Sequence, residues 1–428
     1  MSVTNINTIP YNGGTIALHG VDITSVALSA TKFVHFYAQA TPNLIYAHVV
    51  NTTGLEGGTA SSTNGPQFAF GASSTRIRAW KIAEGRLMVL IGSEMRVMEI
   101  AGDDTITMKA AKLTATDLGV QPQQWENSTG SSAFATDVLA GMSVGTYFKA
   151  ISVVDNQLIA VVRSQRIMTI AQIFAINYNA STDVLTKANG ASITIDNNGY
   201  KTPSFDFLFA KIPSSSNVVV YTVGTPNANF NYAYTNGVKP ILQQAAIFNP
   251  TAGNFVRTFS VTGGENVTAI IATSETQLIG FVDGAAFKVH SGSTAATSSS
   301  LNAGGTGSWG SAVTFSTTGT NRVCTHAEML NDSYILTTIS DEVAPTVNGY
   351  SVRLGKQYMR IVRFVDTTFA EVIEANQNIA QSELGTPLNC DMPMVEKVGQ
   401  YTFVFKSKAN ATVTDTKINL RSIFGGSE

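Results

Sequence analysis

The sequence predicts an all-β protein: a seven-bladed β-propeller of four-stranded antiparallel blades, closed by an N-terminal strand that completes the last blade. Three observations predict it. A pair of apolar alternating runs around a short polar turn recurs seven times, the copies lie about 60 residues apart, and further apolar runs follow each copy. Because seven such units account for nearly all of the 428 residues, one domain is expected over 1–428.

Each copy predicts a β-hairpin, since apolar and polar residues that alternate over four to eight positions indicate a half-buried strand. In the second copy, RIRAWKIA precedes the turn and RLMVLIG follows it. Short polar stretches such as VDN and LND, which tolerate tight reversals, separate the two runs. The turns centre near Ala30, Glu84, Asp155, Ser215, Glu275, Asn331 and Lys397.

Two more apolar runs usually follow the hairpin, for example MRVMEI and TITMKA in the second repeat. Four strands per repeat is the construction of a propeller blade. The seventh repeat lacks its fourth run, while TIAL (Thr15–Leu18) precedes the first hairpin as ASITI precedes a later one. We therefore expect Thr15–Leu18 to complete the seventh blade and to pair within the sheet that holds Thr402–Phe405, which would remove open sheet edges.

Three long loops interrupt the repeats, at 115–146, 225–240 and 290–311. Loops on a rigid scaffold are where binding residues concentrate. Aromatic side chains in these polar segments could anchor the loops to their own blades, contact a neighbouring subunit or stack on a glycan. The candidate binding residues are Trp125, Phe230, Tyr232, Tyr234 and Trp309.

The composition excludes several classes of function. Only 13% of the residues are charged, against a typical ~25%. With a net charge of −2 and no long Lys/Arg cluster, binding to nucleic acid is not expected. No apolar run reaches the ~20 residues of a membrane helix, so membrane insertion is not expected either. The N-terminus lacks the pattern of a secretory signal. A virus particle released by lysis fits such a chain, and so does a cytoplasmic protein.

No motif predicts catalysis, a metal site or a cofactor. The five histidines are scattered, and no zinc-ligand spacing, nucleophile elbow or phosphate loop occurs. Two carboxylates facing each other across a propeller channel could hydrolyse a glycoside, but the sequence does not place such a pair. An enzyme is therefore not expected. Cys324 and Cys390 are interpreted as small buried apolar residues, with a disulfide between neighbouring repeats left open.

Short hairpin repeats, a surface of Thr, Ser, Asn and Gly, and a leaderless start resemble the divergent propellers of tailed-bacteriophage virion proteins, such as tail fibres, tail tips and tail nozzles. The resemblance implies a structural component of a phage virion, located in the particle and associated with its tail. Such a component would act as a rigid disc for assembly or host contact, with other virion proteins and symmetric copies of itself as partners. The alternatives are a lectin-like propeller that binds a host glycan or receptor, a glycan-degrading enzyme, and a bacterial scaffold protein.

Overall fold

In the computed structural model, all regular secondary structure among the described residues is β-strand. The structure describes residues 2–10, 23–29, 31–39, 44–52, 60–69, 77–91, 94–114, 117–118, 147–163, 170–194, 205–224, 244–262, 267, 269–275, 277–282, 285–290, 305–308, 313–314, 322–343, 353–365, 368–381, 395–399, 401–409 and 412–420. The strands form seven sheets, which we number in chain order. The predicted all-β class and propeller arrangement are confirmed.

Sheets 1 to 3 are regular antiparallel sheets whose strands follow one another in the chain. Sheet 1 contains β2 (Ile23–Ala27), β3 (Lys32–Gln39), β4 (Leu44–Thr52) and β5 (Ala60–Ala69). Sheet 2 contains β6 (Ile77–Ala83), β7 (Arg86–Ile91), β8 (Glu94–Ile100) and β9 (Ile106–Thr114). Sheet 3 contains β10 (Tyr147–Ile151), β11 (Gln157–Arg163), β12 (Ile170–Asn179) and β13 (Val184–Thr194).

Sheets 4 and 5 are linked by a strand that the sequence did not predict. Sheet 4 contains β14 (Phe205–Lys211), β15 (Val218–Gly224), β16 (Gln244–Asn249) and β17 (Asn254–Thr262). Sheet 5 contains β18 (Ala269–Ser274), β19 (Gln277–Val282), β20 (Ala285–His290) and the two-residue β22 (Val313–Thr314). Before β22, the chain adds β21 (Gly305–Ser308) in parallel to β17, as a fifth strand of sheet 4.

Sheets 6 and 7 return to the regular antiparallel form. Sheet 6 contains β23 (Arg322–Asn331), β24 (Tyr334–Val343), β25 (Arg353–Val365) and β26 (Thr368–Gln381). Sheet 7 contains β27 (Val395–Gly399), β28 (Thr402–Ala409), β29 (Thr412–Asn419) and the N-terminal β1 (Ser2–Pro10).

The seven predicted hairpins are confirmed, since the first two strands of every sheet pair antiparallel. The prediction of seven uniform four-stranded antiparallel blades is wrong in its uniformity. Five sheets have that regular form rather than seven, because β21 gives sheet 4 a parallel fifth strand and β22 leaves sheet 5 with a minimal fourth. A four-residue Gly/Ser/Thr segment such as β21 has no apolar alternation by which sequence could identify it.

An N-terminal strand does complete the last sheet, but its residues differ from those expected. β1 pairs antiparallel with β29 over Ser2 to Pro10, next to the strand that begins at Thr402. Thr15–Leu18 lies outside the described residues. The sequence SVTNINTIP alternates only weakly between apolar and polar residues, so its strand character comes from the partner strand rather than from its own pattern.

The core consists of apolar clusters between sheets rather than one central mass. Each cluster combines residues of two consecutive sheets, from sheets 1 and 2 to sheets 6 and 7. A further cluster packs Val398 of sheet 7 against Phe33 of sheet 1. A sheet with neighbours on both faces needs apolar residues on both, which explains runs such as RLMVLI in β7. Cys324 is buried in the cluster between sheets 5 and 6, as expected, whereas Cys390 lies outside the described residues.

Candidate functional site

None of the predicted binding residues falls in the described part of the chain. Trp125, Phe230, Tyr232, Tyr234 and Trp309 all lie outside it. Of the three predicted loops, the structure describes only 117–118 in 115–146, nothing in 225–240, and His290 with 305–308 in 290–311. Their assignment as binding residues therefore stays a prediction.

The first two residues described after β9 are held firmly against the sheets. The Asp117 carboxylate accepts hydrogen bonds from the backbone N–H and the hydroxyl of Thr114, both at 2.7 Å. These two hydrogen bonds outweigh a small effect of burial and lower the pKa of Asp117. Leu118 is buried in the cluster between sheets 2 and 3, and Lys187 donates to its carbonyl at 2.8 Å.

The ends of the strands define two sides of the molecule. We call the turn between the first and second strands of a sheet its first turn, and the turn between the third and fourth strands its third turn. In an up-and-down sheet these two turns lie on the same side. The ends that flank two of the predicted loops, Thr114 with Tyr147 and Gly224 with Gln244, lie on the opposite side. First turns bond to one another between sheets 1 and 2, 2 and 3, 4 and 5, 6 and 7, and 7 and 1, so the two sheets of each of these pairs point the same way.

The first turns carry polar contacts between sheets. The backbone N–H of Asn156 in sheet 3 donates to the Ile82 carbonyl of sheet 2 at 2.7 Å. Asn217 of sheet 4 donates to Glu275 beyond the end of β18 at 2.6 Å. Three further pairs of sheets are joined near their first turns. Lys81 of sheet 2 donates to the Leu28 carbonyl of sheet 1, and Lys397 of sheet 7 donates to the Met329 carbonyl of sheet 6 at 2.9 Å. The Ala27 backbone N–H of sheet 1 donates to the Glu396 carboxylate of sheet 7 at 2.6 Å.

In sheets 2, 3 and 4, a residue of the third turn that has a positive φ contacts the preceding sheet. Asp104 in the third turn of sheet 2 forms an ion pair with Lys32 of sheet 1 at 2.6 Å. Asp183 in the third turn of sheet 3 accepts from the Ala110 backbone N–H of sheet 2 at 3.1 Å. In the third turn of sheet 4 the same place is taken by Gly253, packed against the backbone of sheet 3.

A polar network joins sheets 2 and 3. Arg86 bonds Glu99 at 3.0 Å and Asn156 at 2.8 Å, and its guanidinium lies 5.6 Å from the centre of the Tyr178 ring. Hydrogen bonds from Lys109 and Arg86 outweigh desolvation and lower the pKa of Glu99. Burial, with the Asp183 hydrogen bond, raises the pKa of Tyr178 to about 12.

Four ionisable side chains on three first strands form what we call the inner cluster: His326 and Lys397, which both approach Glu328, and Lys211, which acts on Glu328 electrostatically. His326 and Glu328 lie on one face of β23, with the imidazole Nε2 at 3.3 Å from a Glu328 carboxylate oxygen. Lys397 of β27 approaches the other Glu328 oxygen to 3.7 Å. Lys211, the last residue of β14, is exposed and acts electrostatically on the same carboxylate.

Glu328 remains anionic within the inner cluster. Partial burial raises its pKa, but the hydrogen bond from His326 and the charges of His326, Lys397 and Lys211 outweigh that effect and lower it overall. His326 lies within β23, and the fully buried His35 lies within β3. Sequence reasoning missed the cluster, although the two-residue spacing of His326 and Glu328 on a predicted strand places them on one face.

The described residues contain no group of three or more His, Cys, Asp or Glu side chains arranged to hold a metal ion. Among those same residues, no helix is long and apolar enough to cross a membrane.

Comparisons with known proteins show only distant likeness. No family profile matches the chain, and no curated protein matches it. Among solved structures, it is similar to the S. cerevisiae core factor, with 9% identity, a TM-score of 0.44, and coverage of 100% of this chain and 64% of that one. It is also similar to the polysaccharide lyase Uly1, with 11% identity, a TM-score of 0.45, and coverage of 96% of this chain and 91% of that one.

Proposed function

We propose that the chain is a structural, non-catalytic component of a phage virion, associated with its tail, in which seven sheets form one closed, rigid disc for assembly or host contact. The observation that carries the proposal is the fastening of consecutive sheets. An apolar cluster lies between every consecutive pair, including sheets 7 and 1, and polar contacts between first turns accompany five of these junctions.

Rigidity supports this role because a particle component must hold its partners in fixed geometry. In four sheets the first turn is also tied to the end of the third strand by a backbone hydrogen bond. The acceptor carbonyls belong to Gly85, Asn156, Ser333 and Tyr401. The polar network and the third turns add further contacts that fasten neighbouring sheets to one another.

The surface composition supports repeated protein contacts. Charged residues are depleted from the cores of protein interfaces, and only 13% of this chain is charged. Virion proteins repeat one interface by symmetry, so a surface with few charges limits the repulsion between identical copies. We therefore propose other virion proteins and further copies of the chain as its partners, and the particle as its location.

The test is to label the chain in phage particles purified from a lysate of cells that produce it, and to measure its mass in solution by light scattering. We expect labelling at the tail and a defined oligomer at high concentration. A strictly monomeric chain that is absent from the particles would refute the proposal.

The alternative is a lectin-like propeller that binds a host glycan or receptor. One observation favours it: the strand ends that flank two of the aromatic-containing loops lie on the same side of the sheets, opposite the first turns. A glycan array probed with the wild-type chain and with Tyr232→Ala and Tyr234→Ala variants tests it. Binding that both variants lose would support the alternative, whereas a silent array would remove it.

A further inference from the structure

A lysine, an asparagine and an aspartate meet at the junction of sheets 1 and 2. Lys32 of β3 and Asn51 of β4 are direct partners in the antiparallel register, so their side chains leave the same face of sheet 1. Directly opposite residues have Cβ atoms about 4.5–5.5 Å apart. The lysine amine and the asparagine amide both reach Asp104, which lies in the third turn of sheet 2.

Asp104 bridges these two side chains. One of its carboxylate oxygens lies 2.6 Å from Lys32 Nζ, and the other accepts a hydrogen bond from the Asn51 amide nitrogen. The amine and the amide are therefore held beside one carboxylate. The Lys32 side chain is 27% exposed and that of Asp104 is 15% exposed, so little water reaches the carboxylate to compete with the amine.

The backbone of the turn fixes the position of this carboxylate. The φ of Asp104 is +68°, a left-handed conformation that few residues other than glycine adopt, and its N–H donates to the Ala101 carbonyl at 3.0 Å. The Ala101 N–H donates to the Thr105 carbonyl at 2.9 Å, which closes the turn. Asp183, at the corresponding place in sheet 3, instead bonds a backbone N–H and a tyrosine hydroxyl.

We propose that Lys32 and Asn51 form an intramolecular isopeptide bond, with Asp104 as the general base and general acid. Asp104 takes one proton from the Lys32 ammonium group, and the neutral amine attacks Cγ of Asn51. After the new N–C bond has formed, Asp104 returns that proton to the Asn51 amide nitrogen, and the Cγ–Nδ2 bond breaks. The attacking nitrogen loses a second proton, which leaves with the ammonia as an ammonium ion. One positive charge is thus present before and after the reaction, and the Asp104 carboxylate is regenerated.

The isopeptide bond joins β3 to β4 through their side chains. Because one amide replaces another, the reaction needs no oxidant, reductant or cofactor, and the escape of ammonia into solvent draws it to completion. The proposal rests on Lys32, Asn51 and Asp104 alone and is independent of the virion role.

The test is the intact mass of the full chain, kept at neutral pH until its mass is constant. We expect a mass that is lower than the mass of the sequence by one ammonia molecule. Protease digestion should yield one branched peptide, in which tandem mass spectrometry places the link between Lys32 and Asn51. A wild-type chain with its full mass, or a loss of ammonia without the branched peptide, would overturn the proposal.

Matched variants test the role of Asp104. Asp104→Asn removes the carboxylate and should not yield the branched peptide. Asp183→Asn changes the corresponding turn of sheet 3 and should yield it as the wild type does. Because asparagine tolerates a left-handed φ, both variants should fold, as circular dichroism would verify. Equal yields of the branched peptide from the two variants would refute the assignment of Asp104 as the general base and acid.

Discussion

At the scale of single residues, Gly253 shows how the fold depends on one missing side chain. Its φ is +67°, and a Cβ built on it would lie 2.7 Å from the Asn189 carbonyl oxygen of the preceding sheet. Asp104 and Asp183 occupy the corresponding turns and reach the preceding sheet with their carboxylates instead. Glycine is therefore required where the backbones themselves meet.

We predict that Gly253→Ala lowers the free energy of unfolding by about 1–2 kcal/mol or more, because alanine adds both left-handed strain and a backbone clash. Urea unfolding followed by circular dichroism measures the change. Gly102→Ala is the matched control, since nothing lies within 4 Å of its Cβ position and its φ is not in the left-handed region. Equal effects of the two substitutions would contradict this account of Gly253.

The second residue-scale prediction concerns acid stability. The folded-state pKa of Glu328 lies below its ordinary value of 4.5, so the folded state favours the charged form. That contribution is present above about pH 4.5 and is lost as the pH falls through the lower folded-state pKa. Wild type should therefore lose more stability than Glu328→Gln between pH 6 and pH 3, as urea midpoints at each pH would show. Parallel pH curves for the two proteins would exclude this role for Glu328.

At the scale of elements, the N-terminal strand is the one that depends most on its partner. β1 pairs with β29 from Ser2 to Pro10, with an irregularity between Asn5 and Asn7, and thereby covers the outer edge of sheet 7. Its residues come from the opposite end of the chain to the other three strands of that sheet. Its removal exposes an unpaired strand, which invites edge-to-edge association.

We predict that deleting residues 2–10 lowers the unfolding temperature and produces concentration-dependent oligomers, as calorimetry and light scattering would measure. A synthetic peptide with the sequence SVTNINTIP should restore the monomeric behaviour of the truncated chain by filling the edge. A truncated chain that is as stable and as soluble as the wild type would show that β1 does not close sheet 7.

At the scale of the whole molecule, sheets that each pack against two neighbours should unfold together. A linear array could melt from an end, but the cluster of Phe33 and Val398 leaves no described end free. We predict that Phe33→Ala, at the junction of sheets 7 and 1, and Leu87→Ala, at the junction of sheets 1 and 2, each lower the stability of the entire chain by about 2–5 kcal/mol.

The measurement for both variants is urea unfolding observed by circular dichroism and by tryptophan fluorescence. One transition that coincides for the two probes is expected in each variant. Separate transitions in Phe33→Ala, with a more stable part left folded, would mean that the junction of sheets 7 and 1 is not an integral part of the ring.

Much of this molecule could be predicted because its signals are local. Short apolar runs on either side of a polar turn, such as IRAWKIA and RLMVLI, indicate paired strands that are buried on one or both faces, so the hairpins, their turns and the propeller class follow from the sequence. The positions of β1 and β21 could not be predicted, since SVTNINTIP and GTGS become strands only when a distant edge offers hydrogen bonds. The inner cluster brings Lys397 of sheet 7 within 3.7 Å of Glu328 of sheet 6, and only the tertiary structure decided that these charges meet.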